Sequence, residues 1–532
     1  MQQNIQLYDT TLRDGSQRAE ISFSVDDKLK IARRLDDLGI HFIEGGWPGS
    51  NPKDAEFFVR ARALSLSGAS LAVFGSTRRA NTDAESDPNL RSLLDTGARV
   101  FTLVGKSWDL HVTEVLETTL EENLRMIADS IRFLKAGGST VFFDAEHFFD
   151  GYKRNADYAL RTVEVAAEAG ADCAVLCDTN GGALPDEVAI AVEAAKRAGV
   201  ALGIHAHNDG DLAVANTLAA VQAGATQVQG TMNGYGERCG NANLCSIIPA
   251  LKLKMGIDCV SDEQLAKLTE VSHYVSELAN LSPGSQLPYV GTSAFAHKGG
   301  LHVSAMMKHE ESYQHVDPDL VGNRSRVLVS ELSGMSNVTY KAKELGLDVP
   351  TGDRARAVLE QIKTLESQGF QYEGADASFE LLLKRTQPGY RPPFELVDFM
   401  VVIEKRRRLP TGLSEEDMLS EAMVKVRVSG DVIHTAAEGN GPVNALDAAL
   451  RKALLQFYPS VAAVRLVDYK VRILEEDHGT GSRVRVLLES GDGEREWHTV
   501  GCSTNIIEAS WVALADSLEY WLLRQGTSQV AT

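Results

Sequence analysis

Between residue 5 and about residue 250, short runs of β-branched and aromatic residues alternate with longer stretches whose apolar residues recur every three or four positions. The short runs are typical of strands and the longer stretches of amphipathic helices. Eight strands are predicted, at 5–8, 42–45, 71–74, 100–104, 140–144, 173–178, 202–207 and 226–230. This alternation indicates a parallel α/β fold, and its count and size match a (β/α)8 TIM barrel. A doubly wound open sheet remains possible on this pattern alone.

The alternation fades after Pro249 into a mostly helical region, and the stretch 282–326 is rich in Gly, Pro, His and Ser, which favours a connector over a core. Prolines in QPGYRPPFEL (387–396) and a basic run at 404–410 place a boundary near residue 395. From residue 421, three strands (AMVKVRVSG, YKVRILEE and SRVRVLLES) and helices at 442–457 and 505–524 predict a C-terminal α+β module. We expect a barrel at 1–275, linker subdomains at 276–395 and a C-terminal regulatory domain at 396–532.

Composition excludes several functional classes. The formal charge of −20 argues against binding to nucleic acid or to an anionic membrane, because both need clustered Lys and Arg. No apolar run is long enough for a membrane span, and the polar N-terminal segment lacks the features of a signal peptide, so we expect a cytoplasmic protein. The six cysteines are too few for a disulfide scaffold and are predicted to be reduced.

The strongest local chemical signal is the segment HAHND (205–209), at the end of the seventh predicted strand. Alternate residues of a strand point to the same face, so His205 and His207 can present two imidazoles to one metal ion. Two solvated loop histidines explain this pair, taken alone, equally well.

A second signal, DTTLRDGSQ (9–17), places Arg13 and Asp14 after the first strand. In a closed barrel only the eighth strand separates the first from the seventh, and chemistry gathers at the C-terminal ends of the strands. Asp14, His205 and His207 can therefore meet, leaving coordination positions for the carboxylate and keto oxygens of a 2-oxo acid. A surface salt bridge between Arg13 and Asp14 is the alternative.

Longer strings resemble a known superfamily, the DRE-type TIM-barrel metallolyases. They are YDTTLRDGSQ (8–17), IEGGWPGSNPKD (43–54), CDTNGG (177–182), the segment 205–244 and HKGGLHVSAM (297–306). Within the superfamily the chain is similar to the Claisen-condensing citramalate, 2-isopropylmalate and homocitrate synthases, and WPGSNPKD resembles one citramalate synthase subgroup. The strings GNGPVNALDAAL (439–450) and GCSTNIIEASWVALADSLEYW (501–521) resemble the C-terminal allosteric domain of these synthases.

The resemblance implies a metal site. Asp14, His205 and His207 match the ligands of the family's divalent cation, which is Mg²⁺, Mn²⁺ or Zn²⁺, and Asn241 matches a position close to that ion. Arg13 matches a guanidinium beside the substrate's keto oxygen, where it can stabilise a developing alkoxide.

The resemblance also implies residues that contact the substrate. Glu146 matches a fifth-strand carboxylate that faces the metal and can shuttle protons, although Asp144 and His147 depart from the usual pattern around it. Thr179 matches a position that binds the substrate carboxylate, with a helix cap as the alternative. His111 aligns with a substrate-side histidine, and a structural role is its alternative.

Two predicted catalytic residues lie outside the barrel. His302 and Tyr313 match residues that the family brings over a partner subunit's active site, where they could activate the hydrolytic water or help deprotonate the acetyl methyl group. The alternative is a polar linker that contacts its own barrel. Ser76, Leu103 and Asp144 are predicted to shape the pocket for the 2-oxo acid.

The implied activity is a Claisen condensation of acetyl-CoA with pyruvate, followed by thioester hydrolysis to (R)-citramalate and CoA, in isoleucine biosynthesis. A homodimer that binds an amino-acid effector is expected. One alternative is a 2-isopropylmalate synthase that uses 2-oxoisovalerate in leucine biosynthesis. Two others are a retro-aldol lyase on the same barrel and a catalytically silent amino-acid-binding regulatory protein.

Overall fold

The structure is a computed structural model that describes residues 4–330, 333–350, 352–405, 418–474 and 479–525. Eight parallel strands close into a barrel because β1 pairs with both β2 and β8. The strands are β1 (Gln6–Asp9), β2 (Phe42–Glu44), β3 (Ser70–Ser76), β4 (Val100–Lys106), β5 (Thr140–Glu146), β6 (Cys173–Asp178), β7 (Ala201–Ala206) and β8 (Gln227–Gly230). The eight predicted strands are confirmed, and the open-sheet alternative is excluded.

Helices surround the barrel. They are α1 (Val25–Leu38), α2 (Pro52–Ala61), α3 (Pro88–Asp95), α4 (Leu120–Lys135), α5 (Phe148–Arg154), α6 (Ala156–Glu168), α7 (Pro185–Ala195), α8 (Ala213–Gln222), α9 (Leu244–Pro249), α10 (Asp262–Leu265) and α11 (Leu268–Leu278). The bounds of α1 follow from its sequence, because Ser24 and Asp27 form a capping box and Gly39 ends the helix with a φ of 90°. Its apolar stripe, which includes Ile31 and Leu35, is fully buried.

Alternate strand residues face the barrel interior, which is apolar at one end and polar at the other. Tyr8, Phe142 and Val175 belong to the apolar interior cluster. Leu103 faces the other way and packs in the core between strands and helices, whereas its neighbour Val104 faces inward. The prediction that Leu103 shapes the substrate pocket is therefore wrong.

The chain divides into two compact units, Met1–Phe295 with His315–Ser325 and Ala296–Gln314 with Arg326–Thr532. The predicted domain boundaries at 275 and 395 remain predictions. The segment 282–326 is less polar in its packing than expected, because Val290, Phe295 and Val321 join the core of the barrel unit. Among the described residues, no helix combines the length and the apolar character needed to cross a membrane.

The second unit begins with short elements and ends with an α+β module, which confirms the predicted fold class. Its helices are α12 (Gly300–Met306), α13 (Met335–Glu344), α14 (Gly352–Ser367), α15 (Asp376–Arg385), α16 (Pro442–Leu454) and α17 (Ile506–Arg524). Its strands are β9 (Ala296–His297), β10 (Arg326–Val327), β11 (Glu395–Lys405), β12 (Met418–Val428), β13 (Asp431–Gly439), β14 (Arg465–Ile473), β15 (Val484–Gly491) and β16 (Glu496–Ser503).

Two antiparallel sheets, β11-β12-β13 and β14-β15-β16, form this module. Helix α16 packs on the first sheet and α17 on the second. Strands β11, β13 and β16 were not predicted. Strand β11 begins directly after the prolines that were interpreted as a boundary and pairs along its length with β12.

Candidate metal and substrate site

The structure brings Asp14, His205 and His207 together at the C-terminal mouth of the barrel. One ligand atom from each lies within 4.8 Å of the other two, and all three side chains are buried. Asp14 Oδ2 lies 3.2 Å from His205 Nε2. Asp14 follows β1 and the histidines lie at the end of β7, and β8 alone stands between these two strands. The barrel topology thus creates the cluster.

Asn241 lies beside this cluster and has an unused oxygen. Its backbone forms an isolated β-bridge with His207, and its Nδ2 donates to the Tyr235 carbonyl at 3.3 Å. Asn241 Oδ1 and His207 Nδ1 are both buried, and neither atom has a hydrogen-bond partner among the described residues. A buried polar atom without a partner is costly. This set of nitrogen and oxygen atoms fits a divalent cation.

Gln229 on β8, which was not predicted, orients His205. Gln229 Oε1 lies 2.9 Å from His205 Nδ1, and Gln229 Nε2 donates to Asp144 Oδ1 at 3.1 Å. Because an amide oxygen only accepts, His205 Nδ1 carries the hydrogen and Nε2 remains available as a ligand on the Asp14 side. The position of Gln229 in the alternation of β8 indicates that its side chain faces the barrel interior, but the sequence does not indicate which residues it contacts.

Arg13 is held on three sides at the mouth of the barrel. Its Nε donates to Glu44 Oε1 at 2.6 Å, and Tyr8 Oη donates to the other oxygen of Glu44 at 2.6 Å. The guanidinium lies 3.9 Å from the centre of the Phe74 ring and 3.7 Å from Asp14 Oδ1. Arg13 and Asp14 thus form an ion pair, but it is not a surface salt bridge, because their side chains are only 16% and 4% exposed. Glu44, which is fully buried, was not predicted.

Burial and charge set the protonation states of the cluster. Burial opposes ionisation of Asp14, but the Arg13 charge and the His205 hydrogen bond hold the pKa of Asp14 well below its usual value. Burial, with a smaller effect of His205, lowers the pKa of His207 to about 4. Burial raises the pKa of Asp144 to about 7. An ionised Asp14 and a neutral His207 are the forms that bind metal ions.

A cavity of about 600 Å³ opens over the cluster, a size suited to a small-molecule ligand. The predicted residues that line it are Arg13, Asp14, Ser76, Asp144, Glu146, Thr179, His205 and His207. Unpredicted lining residues include Trp47, Phe74, Val104, Lys106, Arg78, Arg79 and Arg238. Residues that are far apart in the chain thus share one pocket wall.

Thr179 lies in this wall with its hydroxyl oriented. The hydroxyl oxygen accepts a hydrogen bond from the His147 backbone N–H at 2.9 Å, which leaves the hydroxyl proton to donate elsewhere. His147 has a left-handed backbone, with a φ of 57°, a conformation that costs energy outside glycine. Helix α7 begins only at Pro185, so the helix-cap alternative for Thr179 is excluded.

His111 is placed differently from the other predicted substrate residues. It lies in a π-helical turn, His111–Val115, and is not among the described residues that line the cavity. Its ring centroid is 4.1 Å from that of His147 and 5.2 Å from that of Trp108. Its role in substrate binding remains a prediction.

His302 and Tyr313 belong to the second unit. Their rings stack, with centroids 4.1 Å apart and an interplanar angle of 22°. The structure therefore pairs two residues that the sequence singled out separately. Their catalytic role remains a prediction.

Family comparisons agree with this geometry. The profile of the family described as HMGL-like matches residues 4–275, which is the barrel with α9, α10 and most of α11. The chain belongs to the HMGL-like family. The profile described as homocitrate synthase post-HMGL domain-like matches residues 289–369, and the LeuA allosteric (dimerisation) domain matches residues 373–522. This order of domains confirms the resemblance to the Claisen-condensing synthases.

Similar proteins cover the chain nearly end to end. The (R)-citramalate synthase of Geobacter sulfurreducens is 56% identical over 520 residues, which cover 97% of each chain. The (R)-citramalate synthase of Aquifex aeolicus is 52% identical, covering 98% of this chain and 99% of that one. A probable 2-isopropylmalate synthase of Methanopyrus kandleri is 31% identical over 93% of each chain.

Proposed function

We infer that this chain is an acyltransferase that condenses acetyl-CoA with pyruvate and releases (R)-citramalate and CoA, a reaction of isoleucine biosynthesis. The observation that carries this conclusion is full-length similarity. Five relatives named (R)-citramalate synthase are 47–56% identical to the chain. Two relatives named 2-isopropylmalate synthase or probable 2-isopropylmalate synthase are 30–31% identical, and a more distant (R)-citramalate synthase is 29% identical. The cluster of Asp14, His205 and His207 supplies the chemistry that this reaction needs.

The bonds that change are those of a Claisen condensation and a hydrolysis. The acetyl methyl group loses a proton to a base, and the resulting carbon nucleophile attacks the keto carbon of pyruvate. The keto oxygen becomes an alkoxide and takes up a proton. Water then cleaves the thioester, which releases CoA and leaves a new carboxylate. Hydrolysis makes the sequence effectively one-way.

We propose that Asp14, His205 and His207, with Asn241, hold a divalent cation, either Mg²⁺, Mn²⁺ or Zn²⁺. Such an ion, when bound, polarises the ketone of a chelating 2-oxo acid. Support comes from the short distances within the cluster and from the unused oxygen of Asn241.

Arg13 stabilises the developing alkoxide in this proposal. Its guanidinium is fixed by Glu44 and Phe74 before substrate arrives, and a preorganised cation beside developing negative charge lowers the barrier. Thr179 donates its hydroxyl hydrogen to the pyruvate carboxylate. Glu146, which lines the same cavity, accepts the methyl proton of acetyl-CoA.

We propose further that the chain forms a homodimer through its C-terminal module and binds an amino-acid end product there. The profile match to the LeuA allosteric (dimerisation) domain supports this proposal. The two sheets also carry exposed apolar side chains, including those of Met400, Val402, Leu466 and Ile473. Light scattering tests the dimer and calorimetric titration with isoleucine tests the effector. The cytoplasmic location remains a prediction.

The decisive experiment measures CoA release with a thiol reagent. Acetyl-CoA is supplied with pyruvate, 2-oxobutyrate, 2-oxoisovalerate or 2-oxoglutarate, each with and without a chelator. We expect the highest kcat/KM with pyruvate and the loss of turnover with chelator. A preference for 2-oxoisovalerate would contradict the assigned substrate, and full turnover in metal-free protein would contradict the metal site. Ligand binding without CoA release would favour the regulatory alternative.

A further inference from the structure

Lys106 is a partly buried cation that lines the cavity. The proposed reaction has so far given it no role. It is the last residue of β4, and the register of the barrel pairs it directly with Glu146, the last residue of β5. The two side chains form an ion pair in which each is about one-fifth exposed, at 21% for Lys106 and 23% for Glu146. Both line the cavity. The barrel register itself therefore brings this ammonium to this carboxylate.

The arginines of the cavity that have carboxylate partners are committed to other residues. Arg13 is bound by Glu44. Arg78 is bound by Glu122 and Asp129, both at 2.8 Å, and Arg238 is bound by Asp209 at 2.8 Å. Within the described residues, Lys106 is the cavity-lining cation that forms an ion pair with Glu146.

Other titratable groups lie around Glu146. Asp144 is two residues earlier on the same strand and also lines the cavity, but it accepts from the Gln229 amide. His111 beyond β4 and Cys177 on β6 are close enough to interact electrostatically with Glu146. Asp144 and Glu146 share one face of β5 because they are two residues apart, and it is Glu146 that forms the ion pair with Lys106.

We propose that Lys106 is a positioning residue whose ammonium holds the Glu146 carboxylate directed into the cavity. This inference rests on the proposed function. In the step that it serves, a C–H bond of the acetyl methyl group breaks and its proton forms an O–H bond on Glu146. The electron pair stays on the carbon, which attacks the keto carbon of pyruvate. Without Lys106, the Glu146 side chain is free to occupy other rotamers before substrate binds.

The test compares Lys106→Met, which removes the charge, with Lys106→Arg, which keeps it. We expect Lys106→Met to lower kcat about 10- to 100-fold, as small misplacements of catalytic groups do, while the KM for pyruvate changes less than about twofold. Lys106→Arg should restore most of the lost rate. Glu146→Gln alone should lower kcat by about 10²- to 10⁴-fold.

The double variant separates positioning from direct substrate binding. If Lys106 acts through Glu146, then Lys106→Met changes kcat little in the Glu146→Gln background. An undiminished loss in that background would overturn the inference, because Lys106 would then contact the substrate itself. A raised KM for pyruvate with an unchanged kcat would overturn it in the same way.

Lys153→Met is the matched control. Lys153 on α5 forms an ion pair with Glu187 on α7 at 2.7 Å and does not line the cavity in the described structure. The kcat of the Lys153→Met variant should therefore equal that of the unmodified protein. Circular dichroism and thermal unfolding establish that each variant is folded, and Lys106→Gln replaces Lys106→Met if that protein does not fold. Failure of the unmodified protein to release CoA would reject the proposed function before any variant is compared.

Discussion

Replacing Gln229 by leucine removes the amide that joins His205 to Asp144. The side chain of Gln229 is fully buried, and leucine keeps an apolar group of similar size in its place. The change leaves His205 Nδ1 and Asp144 Oδ1 without their partner, at a cost of about 1–3 kcal/mol for each buried group. The Asp144 cost lies at the low end of that range at neutral pH, because burial has already raised the pKa of Asp144 to about 7.

A loss of metal affinity should be a more specific sign of the missing amide than a loss of stability. Loss of a hydrogen bond that orients a ligating histidine reduces metal affinity or activity by about 10- to 100-fold. A tenfold change corresponds to about 1.4 kcal/mol, so we expect a loss of about 1.4–2.8 kcal/mol in binding free energy. The ring of His205 can then rotate, and its Nε2 spends less time facing the Asp14 carboxylate.

Two measurements check this prediction. Calorimetric titration of metal-free protein with Mn²⁺ gives the affinity, and CoA release at increasing Mn²⁺ concentration gives the functional counterpart. Gln227→Leu is the matched control, because Gln227 is fully buried on the same face of β8 but donates to Gln6 at 3.3 Å and not to the site. An unchanged affinity in folded Gln229→Leu protein, or an equal loss in Gln227→Leu protein, would refute the reasoning.

Three further outcomes are expected. Asp14→Asn or His207→Ala should abolish CoA release while the circular dichroism spectrum is retained, and normal turnover in either variant would reject these ligands. Glu44→Gln should lower kcat about tenfold or more, because it loosens Arg13; an unchanged kcat would argue against that role. Burial opposes the ionisation of Glu122. Hydrogen bonds from the Asn81 backbone N–H and from the Arg78 side chain nevertheless lower its pKa to about 2. The ionised Glu122 therefore contributes to the free energy of unfolding. This contribution is fully present above the usual glutamate pKa and is lost as the pH falls towards 2. In urea unfolding, Glu122→Gln should therefore be destabilising at pH 7 and less so at pH 4, and an equal difference at both would contradict this assignment.

The sequence by itself indicated the eight strand–helix units and singled out Asp14, His205 and His207 as candidate ligands. The periodicity of apolar residues distinguishes short buried strands from amphipathic helices without reference to their neighbours. The count and size of the eight units match a barrel, and the pairing of β1 with β8 excludes the open sheet. The HxH spacing of His205 and His207 then implies a shared face. Barrel order brings Asp14 to the same end, so this cluster required no knowledge of side-chain packing.

Only the tertiary structure decided which residues support the functional side chains of the site. Gln229 lies 24 residues from His205, Glu44 lies 31 residues from Arg13, and Lys106 lies 40 residues from Glu146. These partners meet because neighbouring strands pair in one register, and a periodic pattern carries no information about register between distant segments.

The same reason explains the errors. Leu103 and Val104 are equally apolar in the sequence, and only the strand register decides which of them faces the cavity. Strand β11 adjoins prolines, and its outer face carries exposed residues such as Met400, so its apolar pattern resembles neither a buried strand nor a clean alternation. Only the pairing with β12 makes this segment part of a sheet. Elements stabilised by their own periodicity are visible in the sequence, and contacts that depend on pairing between distant segments are not.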